Sequence, residues 1–310
     1  MVEIAEGTVL KKRYEILEMV GSGGLGRVFR AKDLLKNEVV AVKVLHEKFL
    51  KKKNLLGIFH KELLISSGLS HRNIVSYVDS HFSPPDCFIV TKFVDGWNGA
   101  QFYRQIAKIP PLVAVAVVTD LLKGLDYLHM HDVIHSDLSI SNIMIDRTGI
   151  VQLTDFGLSF DQGVESYAEK KFGTPGYVSP EHISRKNLTE ASDVYCVGLI
   201  LHALVTGERF LPAGRPVEEV RAAMKKRDLS RVKLKSNTLE GEIRIVLKKA
   251  LSYYSLFRYE SAQEMLIDCF KILAKYKVTK TRAAIWQLLA DVEKGRKPFD
   301  KEKQDIYKLA

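Results

Sequence analysis

Cysteine is scarce in this chain. Three residues in 310, Cys87, Cys196 and Cys269, stand far apart. They form neither a disulfide framework nor a metal-spaced pair. Each has apolar neighbours, so they read as buried free thiols in a reducing compartment. Long apolar runs are also missing. The longest, near Val194 to Val205, is broken by Gly198 and His202 and is too short to span a bilayer. The opening stretch MVEIAEGTVLKKRYEIL has no apolar signal core. Repeats and low-complexity tracts are absent as well. The expectation is a cytoplasmic protein with no membrane span.

Hydrophobic residues make up 46% of the chain, enough for one large core or two lobes. Lys and Arg number 47 against 37 Asp and Glu, a formal charge of +10. A basic balance can serve nucleic acid, an anionic surface or an acidic substrate. Here the charge is dispersed in short runs such as Lys51-Lys52-Lys53 and Lys225-Lys226-Arg227, which read as solvated faces. A nucleic-acid role would rest on net charge alone, with no stacking-aromatic motif behind it, so none is expected.

Local patterning divides the chain. Tyr14 to Val20, Gly26 to Ala31 and the β-branched run EVVAVKVL (38–45) predict three strands. Residues 55–69 carry helical spacing at Ile58, Phe59, Leu63, Leu64 and Leu69. Strands are predicted at 74–80 and 88–94, around the turn Ser83-Pro84-Pro85-Asp86. After Asp95-Gly96 the pattern turns helical. Pro111 to Met130 is a long apolar helix with proline at its favoured start. Short strands at 143–146 and 151–154 flank the turn Arg147-Thr148-Gly149. Ser261 and Glu264 have capping-box spacing. Four segments follow: an extension (1–13), a small β-rich lobe (14–95), a larger helical lobe (96–277) and a tail (278–310). In the tail, Ile285, Leu288, Leu289 and Val292 share one helical face. That face either docks on the larger lobe or receives a partner.

The chemistry lies in His135-Ser136-Asp137-Leu138-Ser139-Ile140-Ser141-Asn142, followed by Asp155-Phe156-Gly157. Asp137 is a candidate base for a hydroxyl proton. Asn142 and Asp155 offer hard oxygen ligands for magnesium. His135 reads as a packed core histidine. Upstream, Gly21-Ser22-Gly23-Gly24-Leu25-Gly26-Arg27-Val28 lets backbone approach and donate to phosphates. A strand follows this loop instead of a helix, which argues against a dinucleotide-binding unit. Lys43 is either an edge-strand lysine facing solvent or an ammonium held near the α- and β-phosphates. Glu62, in the next helix, can supply the anionic partner that a buried lysine needs.

These motifs, in this order, resemble the eukaryotic-type (Hanks-type) serine/threonine protein kinases, bacterial ones in particular, over residues 14 to 275. Phe172-Gly173-Thr174-Pro175-Gly176-Tyr177-Val178-Ser179-Pro180-Glu181 resembles the end of that family's activation segment. Asp193 to Gly198 resembles the helix that anchors the catalytic loop, and Arg258 is expected to pair with Glu181. The resemblance implies an α+β, bilobal fold with a small β-rich lobe and a larger, mainly helical one. It implies ATP with magnesium (Mg2+), or manganese (Mn2+), as the cofactors. Thr91 would be the gatekeeper, Lys92, Phe93 and Val94 the hinge, and Val28, Ala41 and Met144 the adenine sandwich. Lys43, Glu62, Asp137, Asn142 and Asp155 would be the catalytic set, acting on proteins with Ser or Thr acceptors.

Three positions depart from the family. Ser136 replaces the arginine that normally binds a phosphorylated activation loop, so the segment is expected to be ordered by its own contacts or by a partner. Thr174 then reads as structural, hydrogen-bonding near Asp137, while Ser159, Ser166 and Tyr167 remain acceptor candidates. Ser139 replaces a lysine that neutralises the γ-phosphate, a loss on the order of 100-fold in rate that Arg27 could partly offset. Ser66 replaces an apolar residue on the helix bearing Glu62. Two other classes compete with an active protein kinase. One is a pseudokinase or scaffold, motivated by these three serines and opposed by the intact transfer set. The other is a small-molecule phosphotransferase, which would lack the Gly-Thr-Pro-Gly-Tyr and Ser-Pro-Glu segment.

Overall fold

The structure is a computed structural model that describes residues 4–22, 26–46, 53–83, 86–106, 109–155, 160–161, 173–230 and 238–295. The chain forms two compact units, residues 1–95 with 155–159, and residues 96–154 with 160–310.

The smaller unit is built on one sheet of β1 (Val9–Leu10), β2 (Tyr14–Ser22), β3 (Gly26–Asp33), β4 (Glu38–Leu45), β5 (Tyr77–Ser83) and β6 (Asp86–Lys92). The strand order is β1-β2-β3-β4-β6-β5, antiparallel throughout. Period-two alternation sets its faces. Val40, Val42 and Val44 of β4 are buried with Phe29, Ala31, Phe88 and Val90, while Ala41 and Lys43 point the other way and stay half-buried. Helix α1 (Lys53–Gly68) follows β4. Arg13 holds the buried Asp33 through two hydrogen bonds of 2.9 and 2.7 Å. Chiefly for that reason the Asp33 carboxyl is held down to about 2.

Two strands sit differently from the pattern-based expectation. The apolar residues Ile74 and Val75 are buried but precede β5, so burial there reflects loop packing. The β5–β6 ladder instead runs up to the Ser83–Asp86 pair beside the two prolines. β1 has two residues, too few for alternation to reveal.

The larger unit is mainly helical, with α2 (Gly99–Ile106), α3 (Pro111–His129), α4 (Pro180–Ser184), α5 (Glu190–Thr206), α6 (Val217–Lys226), α7 (Leu239–Ala250), α8 (Ala262–Lys275) and α9 (Thr281–Glu293). Helices α3 and α5 are apolar around nearly their whole circumference and form its interior. Thr119, within α3, satisfies its hydroxyl on the Val115 carbonyl at 2.7 Å. Ser261 caps α8 by accepting from the Glu264 amide, and the Glu264 carboxylate reaches back to the Glu260 amide instead of that of Ser261. β7 (Gly96–Asn98), β9 (Ile143–Asp146) and β10 (Val151–Leu153) form a small antiparallel sheet, and β8 (Val133–Ile134) pairs with β11 (Phe160–Asp161). The three cysteines are buried free thiols.

Tail helix α9 packs on α3 with Ala284, Ile285, Leu288 and Leu289 buried. It also caps the β9–β10 turn. Arg282 donates to the Thr148 carbonyl at 2.9 Å, and Arg147 pairs with Glu293. Gly149 has φ +84°, and a Cβ there would lie 2.4 Å from the Arg282 carbonyl oxygen. Only glycine allows this approach. Among the described residues, no helix is long and apolar enough to cross a membrane.

Candidate active site

In the smaller unit the sheet register collects the predicted nucleotide-binding residues. Val28 pairs with Lys43, and Ala41 pairs with Thr91. Opposite residues of a ladder share a face, so Val28, Ala41, Lys43 and Thr91 lie on the side away from the valine core. Gly21 and Ser22 end β2 and pair with Val28 and Arg27. Gly26 packs against β4 so closely that a Cβ would sit 2.2 Å from the Val44 carbonyl oxygen. Lys92 ends β6 and is exposed. Phe93 and Val94 follow it and are half-buried, with the Arg30 guanidinium over the Phe93 ring. Gly23, Gly24 and Leu25 lie outside the described residues, as do Phe156, Gly157, Ser159, Ser166, Tyr167 and Phe172. Glu62 is on α1, but its side chain is likewise outside them.

Lys43 Nζ donates to Asp155 Oδ1 at 2.8 Å. The lysine is therefore not an edge residue facing solvent; it is an ammonium held on a carboxylate. Asp155 itself has φ +64°, a left-handed conformation that aspartate tolerates better than most residues.

The larger unit gathers a second group. Asp137 Oδ1 accepts from both the Thr174 amide and the Thr174 hydroxyl at 2.9 Å. Asn142 Nδ2 donates to the Asp137 carbonyl at 2.8 Å, which leaves the Asn142 side-chain oxygen as a hard donor. The Asn142 carbonyl in turn accepts from the Thr154 amide. Met144 lies on β9, paired with Asn98 and Gln152.

A buried carboxylate sets the backbone around Asp137. Asp193, fully buried at the start of α5, accepts from the amides of His135 at 2.8 Å and Ser136 at 2.9 Å, and lies 3.0 Å from His129 Nε2. Ser136 takes φ +61° to present its amide. Burial opposes charge on both partners, but their mutual contact wins. Asp193 is held below the usual carboxylate range. His129, with Glu190 also 3.5 Å away, is pushed up to about 9. His135 is wholly buried, with Nε2 3.3 Å from the Thr154 carbonyl, a packed histidine as its sequence context suggested.

Three further placements matter. Arg258 is buried and grips Glu181 with two bonds of 2.8 and 2.9 Å while donating to the carbonyls of Ser252, Tyr253 and Ala191. Ser139 is completely buried, and its hydroxyl has no hydrogen-bond partner among the described residues. Ser66 is buried on α1. His182 carries a contact that no sequence pattern announced. Its Nε2 lies 2.8 Å from the Ser136 carbonyl.

Residues 14–289 match the protein kinase domain. The chain belongs to this family. It is 34% identical over 211 residues to a probable serine/threonine-protein kinase PknB of Lactococcus lactis, covering 67% of this chain and 33% of that protein. It is 30% identical over 271 residues to the serine/threonine-protein kinase PknB of Mycobacterium tuberculosis, covering 85% and 43%. It is 26% identical over 264 residues to the serine/threonine-protein kinase PrkC of Bacillus subtilis, covering 84% and 41%. The chain thus spans less than half the length of these curated relatives. The expected α+β kinase fold and the bacterial resemblance are borne out, and the family match runs into α9, beyond the expected end at residue 275.

Proposed function

We propose that this chain is a serine/threonine protein kinase domain that transfers the γ-phosphoryl group of ATP to protein hydroxyls. The observation that carries this reading is the cluster around Asp137. A carboxylate is oriented by Thr174 and Asn142 on a loop whose amides are pinned by buried Asp193. An anchored carboxylate of this kind can accept or orient the proton of an attacking hydroxyl. Positioning and charge neutralisation supply most of the catalysis of phosphoryl transfer. Lys43 is the cation for the α- and β-phosphates, and Asp155 keeps it extended from β4. Thr91, Ala41 and Val28 provide the face on which an adenine ring would rest, with Lys92 to Val94 supplying backbone groups.

The donor set suits magnesium or manganese. Asn142 and Asp155 are oxygen ligands of the kind these ions take. When bound, the ion neutralises the phosphate oxygens. Glu62 is assigned to the Lys43 neighbourhood on sequence grounds.

The activation segment works without phosphate-arginine pairing, because Ser136 has no charge and Thr174 already holds Asp137. The substrates are proteins with Ser or Thr acceptors, and no nucleic acid is assigned. The apolar face of α9 is used against α3, so a partner at the C-terminal helix would meet the outer face around half-exposed Trp286. Buried free thiols support a cytoplasmic setting for this domain.

The second reading is a nucleotide-binding scaffold, favoured by the buried, uncharged Ser139. Label transfer from radiolabelled ATP with magnesium to a basic protein acceptor, beside Asp137→Ala, separates the two. Transfer lost with Asp137→Ala supports the kinase. Bound ATP without transfer by the wild type supports the scaffold.

A further inference from the structure

His182 is half-buried between two stretches of the larger unit. Its Nδ1 faces the Ser179 amide at 3.1 Å and the Ser179 hydroxyl at 2.8 Å. An amide can only donate, so Nδ1 is the acceptor and the neutral ring carries its proton on Nε2. Nε2–H therefore donates to the Ser136 carbonyl at 2.8 Å. The Ser136 amide is already committed to Asp193 Oδ1 at 2.9 Å, so Ser136 is held from both sides. Asp137 is the next residue. Thr174 makes a second tie from the same segment to the Asp137 carboxylate.

We propose that His182 is a positioning residue that latches the 174–182 segment to the Asp137 loop, so that the segment is held in register without an added phosphate. This deepens the kinase reading and rests on it for its catalytic meaning. The latch has two roles, acceptor at one end and donor at the other, and both need a neutral ring. Burial is the main reason the His182 pKa falls below the ordinary imidazole value. The Ser136 carbonyl and the carboxylates of Asp193, Glu181 and Asp137 pull upward and only partly offset it. Two of those carboxylates are answered elsewhere, Asp193 by His129 and Glu181 by Arg258. The lowered pKa keeps the ring neutral to a lower pH than an ordinary imidazole. At lower pH, protonation of Nδ1 turns its contact with the Ser179 amide repulsive and opens the latch.

The test compares wild type, His182→Gln and His182→Leu in the full chain. Glutamine can accept and donate at the same two ends but does not titrate; leucine does neither. Nitrogen NMR should find the His182 ring neutral, with its proton on Nε2 and its pKa below the ordinary value. His182→Leu should lose about 10-fold or more in kcat with KM for ATP unchanged, the size expected from a small misplacement of the base loop. His182→Gln should recover to within about 3-fold and shift the acid limb of the pH profile. A ring that titrates at the ordinary value, or is protonated on Nδ1, overturns the proposal. So does a glutamine variant no more active than the leucine variant when both melt like wild type. If His182→Leu does not fold, the ring titration and the His182→Gln profile decide. If wild type binds ATP without transfer, the kinase reading falls, and the NMR result still decides the latch.

Discussion

Lys43 Nζ and Asp155 Oδ1 meet at 2.8 Å across 112 residues of sequence. The pair is part-exposed, so solvent screens it and its contribution to stability is small, within about 1 kcal/mol. On the proposed kinase reading, its value is in catalysis. Lys43→Met and Asp155→Asn should each melt within a few degrees of wild type. Each should lower phosphoryl transfer on the order of 100-fold or more. The double variant should lose little beyond the worse single one, because the residues act as a unit. Transfer assays beside thermal melts check this, and additive losses would argue against a shared role.

Arg258 and Glu181 present the opposite balance. Here the arginine is fully buried and bidentate, so removing one partner strands a charge in the interior. Glu181→Ala should destabilise the larger unit by about 3–5 kcal/mol. Arg258→Lys should not rescue the pair, since a lysine cannot reproduce the fork or the three carbonyl contacts. Burial works against the Glu181 charge, but Arg258 outweighs it and holds the carboxyl below its ordinary value. The stabilisation is therefore present above the unfolded-state pKa and lost as pH falls through the folded one. Urea unfolding at neutral and acid pH measures both effects.

The parts of the site legible in sequence were those whose chemistry is local. Asp137 and Asn142 stand five residues apart and do meet. Lys43 and Ala41, two apart on β4, share a face in the sheet. The anchoring role of the Asp193 helix came from motif resemblance and appears as three bonds to buried Asp193. What stayed illegible is long-range and unpatterned. The bond from His182 to Ser136 spans 46 residues, and nothing periodic marks it. Gly149 read as an ordinary turn glycine, yet its lack of a side chain admits the backbone of α9. Strand ends near residues 74 and 94 differ from the pattern because the apolar residues there, buried Ile74 and Val75 and half-buried Phe93 and Val94, lie outside the ladder. Ser139 stands in sequence where the family has a lysine for the γ-phosphate, whereas here it is enclosed.

That enclosure makes Ser139 a test of burial without satisfaction. A hydroxyl with no partner carries a desolvation penalty of about 1–3 kcal/mol. Ser139→Ala should therefore leave stability equal or raise it by about 1 kcal/mol. Ser139→Lys should lower it, because an ammonium has to start from a wholly buried position. Chemical unfolding of both variants tests this. A clear loss of stability in Ser139→Ala would mean that the hydroxyl is bonded in solution.

Gly149 tests how firmly α9 is held. Alanine there must adopt φ +84° and place a Cβ 2.4 Å from the Arg282 carbonyl oxygen and 2.8 Å from the Trp286 amide nitrogen. Backbone atoms cannot move aside as a side chain can. The helix must shift, and Gly149→Ala should cost about 1–3 kcal/mol. Leu288→Ala, which empties buried space against α3, should cost about 2–5 kcal/mol. Hydrogen exchange should show lost protection in α9 for both variants. Unchanged protection in Gly149→Ala would mean that the turn and helix are further apart than the structure has them.

The His129–Asp193 pair sets a limit on stability from the alkaline side. Burial disfavours the imidazolium, yet Asp193 and Glu190 together raise His129 to about 9. A raised pKa means that the folded state keeps a proton the unfolded chain gives up near the ordinary histidine value. The stabilisation is complete below that unfolded value and is lost as pH rises through about 9. Asp193 behaves in the reverse sense. Its lowered pKa stabilises above the unfolded carboxylate value, and that contribution fades as pH falls through the folded one. Wild type should therefore lose stability between neutral pH and about 9. His129→Gln, which keeps a donor for Asp193 but has no proton to lose, should be less stable at neutral pH and flat across that range. The measurement is the unfolding free energy from pH 6 to about 10 for both proteins. A wild-type profile as flat as the variant's would show that His129 is neutral in the folded protein and that Asp193 holds the Ser136 loop without a cation beside it.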